Sequence, residues 1–299
     1  MTDERGARSA PSWDGLIAGC GLERLDARAL LEHVSGRSRT WLLAHGEEAV
    51  PLAMAEAFEA LRRRRAAGEP LAYLTGWREF MGHRLGTSPA VLVPRPETEH
   101  LVEASLVHGD ARQIHSRSAS ASSRLRILDL GTGSGAIAIS LALARPHWQV
   151  FATDRSANAL AQAQANAQAL GAVSIVWWQG DWWQALPSRC EPFDLIVSNP
   201  PYLAQNDPHL QDPTLGHEPR EALVSGPSGL EAIEVIVRGA RAHLVPAGWL
   251  MIEHGHAQGP AVRDRLQTSG FEQVHTLQDL AGLDRVTMGR PAHDKGLAD

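Results

Sequence analysis

Residues 125–154 read LRILDLGTGSGAIAISLALARPHWQVFATD. Leu125–Leu130 is a short apolar run of strand length, 135–145 is a small-residue helix, and Val150–Thr153 is a second apolar run. Strand, glycine-rich turn, helix and strand together make one βαβ unit. The same rhythm continues downstream. Ser156 can cap a helix that stops at Gly171, and Val173–Trp178 and Phe193–Ser198 read as strands. A helix over 229–244 carries Ile233, Ile236, Val237 and Ala240 on one face. Ala247–Glu253 is a further strand, 259–269 a helix, and the last strands lie near 271–277 and 284–289. Strands alternating with helices predict an α/β domain: a doubly wound, mostly parallel, Rossmann-like sheet with helices on both faces.

Upstream the period is helical. Residues 1–12 read as a disordered tail, and 13–75 as a small helical domain. Ala27, Leu30, Leu31 and Val34 fall on one helix face, with Gly36 as the stop. Met54, Ala57, Phe58 and Leu61 repeat the pattern after Pro51, which suits a first-turn position. The Arg62–Arg65 run ends the last helix and reads as a solvated face favoured by the helix dipole. Residues 76–96 form a linker with short extended pieces, and a helix follows from about 97 to 107. The aperiodic GDARQIHSRSASASSR (109–124) reads as a flexible loop inside an α/β domain spanning 97–291, with 292–299 as a tail.

The bulk properties narrow the function. The chain has 299 residues, 43% of them hydrophobic, and a net charge of −6, which gives no basic footprint for direct contact with nucleic acid. Cys20 and Cys190 are the only cysteines, so neither a disulfide framework nor a zinc cluster is expected. Fourteen histidines, His254 and His256 among them, lack the companion ligands of a metal site. No segment has the length of a membrane span or the apolar stretch of a signal peptide, so a cytoplasmic protein is expected, with a monomer as the default.

In such sheets ligands bind beyond the carboxyl ends of the strands. The first strand ends in Asp129, Gly131, Gly133 and Gly135; Gly131, Gly133 and Ala136 also satisfy the dinucleotide pattern GxGxxG/A. Asp154, 23 residues beyond Gly131, can accept both hydroxyls of a ribose. These features suit NAD and S-adenosylmethionine (SAM) equally. Asp181 and Trp182 follow the third strand, an acid for an exocyclic amine and an aromatic to cover an adenine; a capping Asp beside a core Trp is the plainer reading.

After the fourth strand comes Asn199-Pro200-Pro201-Tyr202. Prolines have no N–H and a fixed φ, so this segment cannot continue a ladder. The Asn199 side-chain oxygen and the Pro200 carbonyl then make two acceptors aimed at one place. A substrate NH2 can give one hydrogen to each, which holds its nitrogen for reaction by positioning alone. Tyr202 offers a flat wall for a planar amide or base.

NPPY after strand four, with DLGTGSG after strand one, resembles the SAM-dependent amino methyltransferases. GEPLAYLTGWREFMG (68–82), VLVPRPETEHLVE (91–103), DPHL (207–210), HEPREAL (217–223) and EHG (253–255) narrow the likeness. Together they resemble the PrmC/HemK family of peptide-chain release factor protein-(glutamine-N5) methyltransferases over about residues 20–290. The resemblance implies methyl transfer from SAM, leaving S-adenosylhomocysteine, to the glutamine of the GGQ tripeptide in class I release factors. It implies a cofactor site of Asp129, Gly131, Thr132, Gly133, Ser134, Gly135, Asp154, Asp181, Trp182 and Asn199. It places the substrate amide on Asn199, Pro200, Pro201 and Tyr202, with Asn199, Pro200 and Tyr202 as the catalytic set. Arg95, Glu97 and Glu99 either order the edge of the site or form a buried salt bridge. The chain departs from the family in a longer 109–124 loop, in His217 where an aromatic is expected, and in the tail after Pro291. The rivals are an adenine or guanine amino methyltransferase acting on DNA or rRNA, a nicotinamide-dependent oxidoreductase, and a non-catalytic module that keeps the fold.

Overall fold

Apolar residues at helical spacing build the first five helices: α1 (Trp13–Gly19), α2 (Arg24–Ser35), α3 (Arg39–Ala44), α4 (Leu52–Ala66) and α5 (Leu71–Thr75). The computed structural model describes residues 10–117 and 124–292. These fall into two compact units, one running up to Gly76 and including Gln211–His217, the other made of Trp77–Leu210 and the chain from Glu218 onward.

In the helical unit Ser12 and Ser38 cap α1 and α3 by accepting from Gly15 N and Trp41 N. Gly36, at φ 65°, closes α2 in the left-handed conformation that an L side chain resists. Trp13, Leu30, Leu31, Leu42, Phe58 and Leu74 share one buried cluster. Three expectations change here. Pro51 is the N-cap of α4 rather than a first-turn residue. Ala57 is exposed, and Ala55 packs on the core in its place. The arginine run is not simply solvated: Arg62 and Arg63 pair with Glu59, Arg64 with Glu69, and Arg65 with Asp26. Hydrogen bonds from Arg62 and then Arg63 hold the Glu59 carboxyl down at about 2. Of the expected tail, residues 1–9 lie outside the described residues, while Pro11 accepts from Val50 N at 2.8 Å and Ser12 bridges to Ala49. His217 Nε2 lies 3.4 Å from the Ala67 carbonyl.

The second unit opens with the hairpin β1 (Trp77–Phe80) and β2 (His83–Gly86). Its two-residue turn, Met81-Gly82, has φ of 50° and 72°, the signs a tight primed turn requires. Met81 N donates to Glu99 Oε1 at 2.7 Å, which ties the hairpin to the start of α6 (Glu99–Arg117). That helix passes the expected end at 107 and occupies the first part of the segment read as a loop over 109–124. Its polar sequence hides the period, and tertiary contacts hold it instead. A β-carbon on Gly109 would lie 2.3 Å from the Trp148 ring, so the helix is pressed against that ring. Arg145 pairs with Asp110, and Arg112 with Asp194. The remainder of the loop reading falls on 118–123, outside the described residues.

Then follow β3 (Arg126–Leu130), α7 (Ala136–Ala144), β4 (Gln149–Asp154), α8 (Ala157–Leu170), β5 (Val176–Gln179) and β6 (Phe193–Ser198). After the short α9 (Arg220–Leu223) come α10 (Glu231–His243), β7 (Leu244–Glu253), α11 (Gly259–Thr268), β8 (Phe271–Gln278) and β9 (Asp284–Pro291). The sheet order is β5-β4-β3-β6-β7-β9-β8. The first five strands in that order are parallel, β9 runs antiparallel to β7, and β8 runs antiparallel to β9. Strand β5 begins at Val176 rather than Val173, which is exposed.

The side-chain period of two divides the core. Ile127, Leu195, Val197 and Met251 face one cluster, while Leu128, Leu130, Ile196, Leu250 and Ile252 face the other. Both faces of the central strands are buried, as a parallel sheet covered by helices demands. Connections leave β3 toward β4 on one side, and β6 lies on the other. The carboxyl ends of β3 and β6 therefore flank the crevice where such sheets bind ligands.

Candidate active site

A cavity of about 340 Å³ opens at those strand ends. Its wall takes Gly131, Thr132, Gly133 and Ser134 after β3, Asp154 at the end of β4, Asp181 and Trp182 after β5, and Asn199, Pro200 and Pro201 after β6. Four separate turns thus deliver polar groups to one volume of ligand size. Asp129, Gly135 and Tyr202 are not on that wall.

The glycine turn is held from beneath. Gly131 N and Thr132 N both donate to the Thr153 carbonyl, at 2.9 and 2.8 Å. Asp154 Oδ2 accepts from Gly133 N, and its Oδ1 accepts from Ser156 N, each at 2.9 Å. Each carboxylate oxygen keeps a second lone pair for a ligand hydroxyl. Burial raises the Asp154 pKa, opposed by those backbone N–H groups. Gly135 has φ 83°, and a β-carbon there would stand 2.8 Å from Ile139 Cδ1 and 3.1 Å from Ala163 Cβ. Its role is close helix packing under the cavity.

Asp129 is fully buried below the turn. Thr132 Oγ1 donates to its Oδ2 at 2.6 Å and Ala138 N at 3.2 Å, while Oδ1 has no partner. Burial pushes its carboxyl up to about 7. Trp182 sits at φ 46°, uncommon for a bulky residue, and a β-carbon on Gly131 would meet its ring at 3.3 Å. That strained backbone turns the indole over the glycine turn. Asp181 is the N-cap of the following turn, but its side chain makes no capping bond.

At the β6 end, Ser198 Oγ donates to the Leu130 carbonyl at 2.7 Å, linking the two strands at the crevice. Asn199 Nδ2 donates to Thr98 Oγ1 at 3.0 Å. Glu253, at the end of β7, is almost wholly buried and presents its carboxylate to Thr98 and Asn199, whose hydrogen-bonding groups favour its ionised form. Glu253 Oε2 has no hydrogen-bond partner. Burial pushes Glu253 up to about 7. Burial, with the Glu253 charge second, pushes the Tyr202 phenol up to about 12. Gln258 Nε2 donates to the Tyr202 carbonyl at 2.9 Å and Gln258 Oε1 accepts from Gly255 N at 2.9 Å.

Sequence reasoning placed no role on Thr98, Glu253, Glu218 or Gln258. The quoted motifs held the signal, since Thr98 lies in PRPETE, Glu218 in HEPREAL and Glu253 in EHG. Both readings of PRPETE hold in part: Arg95 lines the cavity and also pairs with the buried Glu218. His254 is buried between Thr287 Oγ1 at 2.7 Å and the Gly255 carbonyl at 2.9 Å. Among the described residues no group of three His, Cys, Asp or Glu side chains is placed to hold a metal ion.

The sheet and its crevice are those of a class I SAM-dependent methyltransferase. Residues 17–76 match the PrmC N-terminal domain and 114–217 the methyltransferase small domain. The release factor glutamine methyltransferase of Bordetella pertussis is 50% identical over 92% of this chain and 97% of its own. That of Escherichia coli K12 is 45% identical over 89% of this chain and 92% of its own. The chain belongs to the release factor glutamine methyltransferase family. Among solved structures, the Thermus thermophilus 16S rRNA N2 G1207 methyltransferase superposes with a TM-score of 0.50 at 21% identity, over 72% of this chain and 49% of that one. The hMettl16 catalytic domain gives 0.53 at 14% identity, over 70% and 76%. Both likenesses bear on the fold alone.

Proposed function

We propose that this protein transfers a methyl group from SAM to the side-chain amide N5 of the glutamine in the GGQ motif of class I release factors, releasing S-adenosylhomocysteine. The observation that carries the reading is the anchoring of Asn199. Its Nδ2 is committed to Thr98, which leaves Oδ1 as the atom available to a ligand beside the Pro200 carbonyl.

The cavity fits the cofactor. Gly133 has open space where a β-carbon would stand, so a ligand can approach the backbone closely. Asp154 accepts ribose hydroxyls on its free lone pairs, Asp181 accepts from the adenine amine, and Trp182 covers the ring. Thr132 and Ser134 add polar groups to the same wall. Bound SAM supplies a methyl group made electrophilic by its sulfonium.

An amide nitrogen is a poor nucleophile because its lone pair is delocalised. Asn199 Oδ1 and the Pro200 carbonyl accept its two hydrogens and favour the positive charge that builds on nitrogen in the transition state. Pro201 stiffens that acceptor pair. Tyr202 keeps its proton throughout the working range, so it packs and positions rather than acting as a base. No side chain needs to remove the proton beforehand, because the nitrogen sheds it after the new bond forms.

The helical segment 13–75 would recognise the protein substrate, with 76–96 as linker and 97–291 as the methyltransferase domain. No helix among the described residues is long and apolar enough to cross a membrane. We place the protein in the cytoplasm, as a monomer without direct contact to nucleic acid. Purified protein, SAM and a class I release factor should yield a GGQ peptide heavier by one methyl group. An unmodified peptide, or transfer to rRNA or DNA instead, overturns the assignment.

A further inference from the structure

Glu253 is buried at the end of β7 and interacts with the anchored Asn199 amide. Resting on the function proposed above, we infer that Glu253 is a positioning residue: as a carboxylate, it fixes which way round the Asn199 amide stands and so directs Asn199 Oδ1 at the substrate. An ionised carboxylate can only accept, and an amide has one donating and one accepting end. With Glu253 ionised, the NH2 end of Asn199 must face it. Thr98 completes the arrangement, since its Oγ1 accepts from Asn199 Nδ2 at 3.0 Å and its hydroxyl hydrogen is then free to point at Glu253. Every hydrogen in the group runs toward the acid, and the Asn199 oxygen is left for the ligand.

A protonated Glu253 loses this control. Its O–H can donate to Asn199 Oδ1, which turns the amide round and presents donors to a substrate that is itself a donor. Burying a carboxylate with an unpartnered oxygen is costly for a fold to keep.

The charged and titratable surroundings set the expected pH behaviour. Glu97, from the turn before α6, opposes ionisation of Glu253, and Arg285 of β9 favours it. Tyr202 holds its proton up to about 12. Burial lowers the pKa of His254, next in the chain. Of these groups, Glu253, pushed up to about 7, titrates in the working range, as does Asp129 beneath the glycine turn.

The test measures kcat/KM for release factor from pH 6 to 8.5 with saturating SAM, because that ratio follows ionisations of the enzyme before release factor binds. In the wild type it should rise with pH through an ionisation near 7 that survives Asp129→Asn. Glu253→Gln should lose that rise and fall about 10- to 100-fold at pH 8, with KM for SAM within about twofold. Glu253→Asp should restore part of both. A flat wild-type profile, or a Glu253→Gln enzyme with unchanged rate and profile, overturns the inference. Should Glu253→Gln fail to bind SAM, Thr98→Val takes its place: kcat should fall at unchanged KM for SAM, and an unchanged kcat counts against the inference. The two proposals fail separately. A wild type that leaves release factor unmethylated defeats the functional reading, whereas an active wild type with an indifferent Glu253→Gln defeats only this one.

Discussion

Arg95 and Glu218 lie 123 positions apart in the chain and meet as an ion pair whose carboxylate is completely buried. The other Glu218 oxygen accepts from Val93 N at 3.0 Å. One acid thus clamps the segment before α6 to the segment that starts α9, and both segments line the cavity. PRPETE and HEPREAL are two halves of one structural joint.

That joint should be asymmetric to mutation. Arg95→Ala leaves Glu218 buried without its cation and should cost about 3 kcal/mol in urea unfolding. Glu218→Gln keeps an acceptor for Val93 N and leaves Arg95, which is partly exposed, able to reach water. It should cost clearly less. Equal losses would mean that the pair is not held by the burial of its acid.

The glycines of the turn should also separate by role. Gly135→Ala combines a left-handed backbone with a β-carbon 2.8 Å from Ile139 and 3.3 Å from the Ala163 backbone. Strain and overpacking together predict a loss of about 2–4 kcal/mol. Gly133→Ala, at φ 55° with nothing within 4 Å, should lose only about 1–2 kcal/mol from backbone strain while weakening SAM binding. Chemical denaturation and a SAM melt-shift titration check both.

How far the sequence was legible follows from what carried the signal. Strand β6 and the sheet rhythm were readable because apolar runs and glycine stops are local, and the residues at four strand ends could be named from position alone. The second half of α6 was not readable, because Gly109, Asp110 and Arg112 make a helix only through Trp148, Arg145 and Asp194. The arginine run misled for a similar reason. Two of its acid partners, Glu69 and Asp26, lie outside α4, and no helical spacing on that element reveals them. Glu253 escaped notice because its contacts, Thr98 and Asn199, come from segments far away in the chain. A single sequence carries no distance information of that kind.

Asn199→Ala removes one of the two acceptors offered to the substrate amide but none of the glycine turn. Methyl transfer to release factor should fall about 100- to 1000-fold, the scale seen when one preorganised hydrogen-bond partner of a transition state is lost. SAM should still raise the melting temperature, since Gly131, Asp154 and Trp182 remain in place. Turnover equal to wild type would remove Asn199 from the proposed mechanism.

Asp129 gives a pH dependence with a definite sign. Its unfolded pKa is about 4, and burial raises the folded value to about 7. Between those values the folded chain holds a proton that the unfolded chain has released, so stability falls as pH rises through that window. A rise of about 3 units sets an upper limit near 4 kcal/mol for this one group. Glu253 is raised in the same direction and adds to the slope. Glu59, held at about 2, acts only below its ordinary value and leaves the window untouched. Urea unfolding without SAM should therefore show a wild type less stable at pH 8 than at pH 5. Asp129→Asn cannot titrate, yet its side-chain oxygen can still accept from Thr132 Oγ1 and Ala138 N, as Asp129 Oδ2 does. The difference between pH 5 and pH 8 should shrink in that variant. If it stays as large as in the wild type, the buried Asp129 is not what the slope reports.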